Sequence, residues 1–320
     1  MSTATAGRAA APLAGPDGGP ATRPRRRGDQ PRSLTHRPLT GLLLVTPAVL
    51  FVLVLVFVPL LAAIGISLTN FPLIGSYRFI GLRNYLSALT DPAFGQAILY
   101  TLLYTAIVTG PILVLGYLLA VMIRANRRWV KVLRTVLFIP YVVGLSTLSF
   151  LLVLEAQPGS GAVNVVLQSL GITDGQTAWL VDGPLATALI CVLVVWGVSG
   201  LTMVLLMSGM QGIPTDVYES AELDGAGWWR TERYVTLPLL RRTIALSVII
   251  SVIGSFLAFT QFFILTQGGP GSATTTVVMA IYKKAFVQLQ LGAATAMSLL
   301  LVIIIGLVTA VQFWLLRERD

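Results

Sequence analysis

The sequence predicts an all-α, polytopic membrane protein with six transmembrane helices and one polar, cytoplasmic helical segment between the fourth and fifth. Three observations carry the prediction. Of 320 residues, 55% are hydrophobic and only 11% are charged, a balance foreign to soluble domains. Six apolar runs, at approximately 40–69, 97–123, 132–154, 185–210, 243–265 and 293–316, are each long enough to cross a hydrocarbon core of roughly 30 Å. The basic residues gather on alternate connections between those runs, which is how a polytopic chain sets its topology.

In chain order, residues 1–37 are rich in Ala, Gly, Pro and Arg, with Arg25, Arg26 and Arg27 at their centre. Such a stretch cannot bury a core and is expected to be a disordered, basic, cytoplasmic tail. It sets topology, or touches anionic membrane lipids as well. His36, the only histidine, sits in it, so a His-based metal cluster is excluded. Residues 38–320 are expected to form one transmembrane domain. Its first run follows arginines, as a signal peptide would. It is too long for one, and no small-residue cleavage site follows, so it reads as an uncleaved span. Pro47, Pro59, Pro111 and Pro140 fall within runs, where neighbouring helices can satisfy the freed carbonyls. The single cysteine, Cys191, lies in an apolar run and reads as a small packing residue.

Orientation follows from charge. With the N-terminus inside, the inner segments hold 18 basic residues and the outer ones four, Arg78, Arg83, Lys283 and Lys284. The positive-inside rule therefore places both termini and residues 213–238 in the cytoplasm. The same distribution explains the net charge of +9 without nucleic acid.

Residues 213–238 are too many for a bare connector. Pro214 suits an opening turn, and Asp216 with Glu219 fits a capping box. Gly225 stops the first helical piece. Ala226 to about Val235 can form a second, and Pro238 marks the approach to span five. Ser220, Ala221, Gly225 and Ala226 are small enough to let another protein surface approach. On these grounds alone, a solvated loop with a helical turn explains the segment equally well.

Further on, Gly268-Gly269-Pro270 forces a turn as span five ends. Phe259, Phe262, Phe263 and Tyr282 around it read either as an interfacial aromatic belt or as a contact surface for substrate or partner. Within the runs, most Ser and Thr hydroxyls are expected to bond to their own helix. Gln261 costs more to bury and is the first candidate for a polar solute path, with Thr260, Tyr141 and Trp196 beside it.

Several chemistries are missing. Lys131, Lys283 and Lys284 follow Val130, Tyr282 and Lys283, so no Walker A loop exists. HExxH and G-x-S-x-G are absent too, and no catalytic residue or metal site is expected. Apart from Glu155 at an outer edge, no ionisable residue lies deep in a run, which counts against an ion-coupled carrier.

The 213–238 segment resembles the EAA loop of importer-type ABC transporter permeases: Glu-Ala-Ala, three residues, Gly, nine residues, then Ile-x-Leu-Pro. Glu219, Ser220 and Ala221 stand for the first three, Gly225 follows at the right spacing, and Val235-Thr236-Leu237-Pro238 closes the pattern. Ser220 and Val235 are conservative departures. Asp224-Gly225-Ala226 is similar to the usual form in sugar permeases. Outside the membrane, Phe79-Ile80-Gly81-Leu82-Arg83-Asn84-Tyr85 with Asp91-Pro92-Ala93-Phe94, Gly161-Ala162-Val163-Asn164, and Leu265-Thr266-Gln267-Gly268-Gly269-Pro270 with Ile281-Tyr282 resemble elements of the same family in the same order. Span three departs, lacking a tryptophan near its outer end.

The resemblance implies the permease subunit of an ATP-driven, binding-protein-dependent importer of a sugar, as an oligosaccharide, disaccharide or polyol derivative, in a bacterial inner membrane. A second homologous permease would complete the path. Two copies of an ABC ATPase would hold the ATP and magnesium, with no cofactor bound by this chain, and an extracytoplasmic sugar-binding (lipo)protein would deliver substrate. The loop would be the coupling helix. Glu219 would offer a carboxylate to the ATPase, Gly225 would allow the bend and close approach, Ser220, Ala221, Asp224 and Ala226 would belong to the same ATPase-coupling surface, and Leu237-Pro238 would fix the exit into span five. An ion-coupled secondary carrier of a small polar solute is the alternative, and a membrane scaffold a third reading.

Overall fold

The computed structural model describes residues 38–72, 75–124 and 128–316. The basic tail with Arg25–Arg27 and His36, together with Arg127, Arg317 and Arg319, lies outside the described residues. Residues through Val56 form one unit and those from Phe57 a second.

The first unit holds α1 (Pro38–Val52), with Pro47 inside it, and the start of a π-helical turn, Leu53–Phe57. The run Leu42–Ser67 is long and apolar enough to cross a membrane.

The second unit is helical, with only two isolated bridges, Thr69 with Phe79 and Pro72 with Gln290, among the described residues. After α2 (Val58–Ser67) and α3 (Arg83–Thr90) come α4 (Pro92–Met122), α5 (Arg128–Val143), α6 (Leu145–Glu155), α7 (Ala162–Ser169) and α8 (Gly183–Gln211). Next are α9 (Thr215–Leu223), α10 (Trp228–Thr231), a π turn over Glu232–Thr236, and α11 (Leu237–Leu239). The chain ends with α12 (Arg241–Phe256), α13 (Thr260–Leu265), α14 (Val277–Tyr282), a second π turn at Lys283–Val287, and α15 (Leu291–Leu316).

Five runs qualify singly as membrane spans: Leu42–Ser67, Pro92–Met122, Gly183–Gln211, Arg241–Leu265 and Leu291–Leu315. The expected third span, 132–154, is instead a broken pair. Helices α5 and α6 meet at an angle of 87°. The joint is Gly144, at φ +84° and ψ 150°, backbone space that is essentially glycine's alone. Pro140, one turn earlier, cannot donate to a preceding carbonyl and is buried in α5. Hydropathy reports that such a stretch is apolar, not that it turns.

The centre of the unit is α4 packed along α8. At Gly116 a Cβ would sit 2.6 Å from Thr202 Cγ2 and 3.3 Å from the Met203 amide nitrogen, so glycine permits this crossing, as small residues do between membrane helices. One core cluster joins Tyr104, Val108, Ile112, Ile190, Leu193, Val194, Phe262 and Met279. A second, at the end that carries residues 213–238, joins Ala120, Ile123, Met203, Leu206, Met210 and Leu240. Outward-facing positions are apolar too: Leu99, Leu103, Ile107, Val114 and Leu118 on α4, and Val302, Ile303, Leu307 and Val311 on α15, are all exposed. In water this would be an aggregation surface; in a bilayer it is the ordinary boundary.

Buried asparagines pin two connections at the opposite end. Asn84 donates to the Ser67 and Thr69 carbonyls, 2.7 Å each. Asn164, fully buried, donates to the Gln157 and Thr177 carbonyls at 3.0 Å and accepts from Trp179 Nε1 at 3.1 Å. Asn84 thus ties α3 back to the end of α2, and Asn164 satisfies backbone groups on both sides of α7.

Candidate functional site

The 213–238 segment begins with Ile213 half-buried among the core residues beside α8. Helix α9 starts at Thr215 behind Pro214, and no side chain caps it. The expected Asp216–Glu219 capping box is therefore not formed. The helix begins two residues earlier than that box requires, with Pro214 instead of Asp216 at the N-cap, which places Asp216 inside the first turn. There its charge meets the positive end of the helix dipole, and its carbonyl accepts from Ser220 Oγ at 2.8 Å.

The C-terminus follows the expectation closely. Gly225 adopts φ +72°. Its N–H donates to the Glu222 carbonyl at 3.0 Å, and the Ala226 N–H donates to Ala221 at 2.9 Å. That pair of bonds is a Schellman motif, in which the left-handed residue is normally glycine. Apart from its chain neighbours, nothing among the described residues lies within 4 Å of a Cβ at Gly225, so the backbone conformation, not crowding, calls for glycine here. Glu219, Ser220, Asp224 and Gly225 are exposed, Ala226 is half-buried, and Ala221 is buried against its own chain. Leu223 is 89% exposed, and Trp228 and Trp229 are exposed beside it. These three large apolar side chains were not singled out in the sequence. Their position in an otherwise polar segment was the available signal.

The second half is not the single helix expected over 226–235. A four-residue α10 gives way to the π turn, then to α11, which has Leu237 and Pro238 at its start, both exposed. The π turn opens on Glu232, which is 5% exposed. Its Oε2 accepts from the Tyr117 hydroxyl at 2.6 Å, and its Oε1 takes the Arg124 guanidinium at 3.2 Å. The same guanidinium lies 4.2 Å from the centre of the Tyr218 ring on α9, within cation–π range. The sequence does not single out Glu232, because a lone acid in a charged segment reads as solvated. Its partners are 115 and 108 residues away.

The four path candidates lie on three elements: Thr260 and Gln261 adjoin at the start of α13, Tyr141 lies on α5 and Trp196 on α8. Gln261 is 3% exposed and donates to the Tyr104 hydroxyl at 3.3 Å, joining α13 to α4. Tyr104 is buried and stands edge-on to Phe262 at 5.0 Å. Thr260 is half-buried at the start of α13. Tyr141, on α5, packs on Phe138 at 5.4 Å and is partly exposed. Trp196, on α8, lines a separate apolar groove of about 740 Å3 with Leu148, Leu152, Glu155, Val163 and Trp179.

An aromatic row runs nearby. Phe259 and Phe263 stack at 5.1 Å, Tyr282 lies 5.2 Å from Phe259 and 5.3 Å from Phe263, and Phe286 lies 5.2 Å from Tyr282. Phe286 is exposed. A smaller, polar cavity of about 350 Å3 opens at the same end, lined by Asp91, Gln96, Tyr100, Lys283, Lys284 and Gln288 among others. Among the described residues no group of histidine, cysteine or acids is placed to hold a metal ion.

Comparison with known proteins gives a consistent result. Residues 112–319 match the family described as "Binding-protein-dependent transport system inner membrane component". The chain is 33% identical to the multiple sugar-binding transport system permease protein MsmF of Streptococcus mutans, over 87% of this chain and 94% of that one. It is 31% identical to the sulfoquinovosyl glycerol transport system permease protein SmoG of Agrobacterium fabrum, over 90% and 93%. In fold it is similar to a chain of the bacterial alginate ABC transporter, crystallised with an alginate pentasaccharide-bound periplasmic protein. That likeness has a TM-score of 0.77 at 20% identity and covers 88% of this chain and 95% of the other.

Proposed function

This chain belongs to the family of binding-protein-dependent transport system inner membrane components, the permeases of ABC importers, and we propose that it forms half of the path by which a sugar or sugar derivative is taken up. MsmF and SmoG are named for sugars and a sugar glycoside, which supports carbohydrate as the substrate class. A second, similar permease would close the other half, and an extracytoplasmic binding protein would deliver substrate. Two copies of a separate ATPase would supply the energy, since the three lysines of this chain sit in no phosphate-binding loop.

The observation that carries the coupling role is α9 with its Schellman turn. It displays Glu219, Ser220, Asp224 and Gly225 on a free surface, with Leu223 as an exposed apolar knob. We assign that surface to the ATPase. Glu219 supplies the carboxylate, and Gly225 lets the partner backbone come close. Leu237 and Pro238 begin α11, from which α12 continues. Ala221, turned into its own chain, supports α9 from behind.

Gly225→Asp tests the assignment. The variant should reach the membrane and be recovered with its partners, yet lose substrate-stimulated ATP hydrolysis by the assembled complex. Stimulation equal to the parent's would remove α9 from the coupling role.

A further inference from the structure

Residues 213–238 are joined covalently only to α8 and α12. A motion of α9 would reach those two helices through the chain itself, but α4, the helix that packs along α8, through side chains alone. We infer that Tyr117, Arg124, Tyr218 and Glu232 form a transmission clamp that makes the end of α4 move as one body with α9. The inference rests on the coupling role assigned above to α9 and names what lies behind it.

Three features of the cluster favour a clamp over an incidental surface pair. First, it is closed. Arg124 follows the last turn of α4, and its one guanidinium engages both halves of the segment: the Glu232 carboxylate at 3.2 Å and the face of Tyr218 at 4.2 Å. Tyr117, two turns back on α4, binds the other carboxylate oxygen at 2.6 Å. Both oxygens of Glu232 are thus held, one from within α4 and one from the residue just beyond its C-cap. Second, the carboxylate is buried, and a buried charge holds its geometry tightly because leaving its partners uncompensated is costly. Third, the Tyr218 hydroxyl is buried with no hydrogen-bond partner among the described residues. It therefore contributes its ring, not its oxygen. The arrangement resists both withdrawal and rotation of α9 relative to α4.

The test uses the complex as purified through this subunit, with its co-purifying ATPase, in lipid nanodiscs. In a Cys191→Ser background, spin labels are placed at two exposed positions, Asp216→Cys on α9 and Leu118→Cys on α4. Their separation is measured without nucleotide and after trapping with ATP and vanadate. With the clamp intact, one narrow distance should persist in both states. In Glu232→Gln or Tyr218→Ala it should broaden or shift on trapping, and binding-protein stimulation of ATP hydrolysis should fall about fivefold or more. Tyr218→Phe, which keeps the ring, should retain the narrow distance. A distance that changes on trapping in the parent, or that stays fixed in Glu232→Gln and Tyr218→Ala, overturns the clamp. Purification without any ATPase overturns the coupling reading beneath it, a different and earlier failure.

Discussion

At residue 232 a carboxylate that composition assigns to solvent is buried and bonded from two sides. Replacing it by alanine leaves the Tyr117 hydroxyl without its acceptor and Arg124 without its counter-charge. Arg124 is about one-third exposed and can hydrate, so the full penalty of a broken buried pair does not apply. Glu232→Ala should cost about 1–3 kcal/mol, read as a lower thermal midpoint in detergent. An unchanged midpoint would mean that water replaces both contacts. Gln261 makes the complementary case. It is buried and bonded to Tyr104, so Gln261→Ala removes the first polar candidate for the path together with a bond between α13 and α4. Uptake should weaken while the complex assembles normally, and parental uptake kinetics would place Gln261 in the scaffold instead. The difference in legibility between such residues is physical. Gly225 could be read because its left-handed turn is a local property of the four or five residues around it. Glu232 could not, because a sequence window holds neither Tyr117 nor Arg124.

At the scale of elements, the spans were legible because length and hydropathy act locally: the expected run 185–210 is the helix Gly183–Gln211, and 293–316 is the helix Leu291–Leu316. The 87° bend between α5 and α6 was not, although Pro140 and Gly144 were both in view. A glycine among apolar residues is compatible with a straight helix, and only tertiary packing decides which φ it takes. The π turn at Glu232–Thr236 was missed for the same reason. The bend carries its own consequence. Any residue with a Cβ at position 144 must adopt φ +84° at a cost of about 1–3 kcal/mol, although space for the Cβ is open. Gly144→Ala should therefore lower the temperature at which the detergent-solubilised protein loses its monodisperse elution peak. An equal or higher temperature would show that the two helices can straighten without loss.

For the whole molecule, orientation decides whether the proposed mechanism is possible at all, because ATP is available on one side only. Under the positive-inside rule, the charge asymmetry of 18 basic residues against four predicts residues 213–238 inside and the loops around Asn84, Asn164 and Gly268 outside. The two sets do lie at opposite ends of the described helices: α4 runs from the loop side at Pro92 to Met122, just before Arg124, and α8 runs from Gly183 back to Gln211, just before α9. A membrane-impermeant thiol reagent distinguishes the two topologies. In a Cys191→Ser background, Asp174→Cys, exposed between α7 and α8, should react in intact spheroplasts. Glu222→Cys, exposed on α9, should react only after permeabilisation. The reverse pattern would put α9 and its free carboxylates where no ATPase can reach them. The coupling surface and the clamp behind it would then both fail, whatever the family resemblance, since neither has a function on the far side of the membrane from ATP.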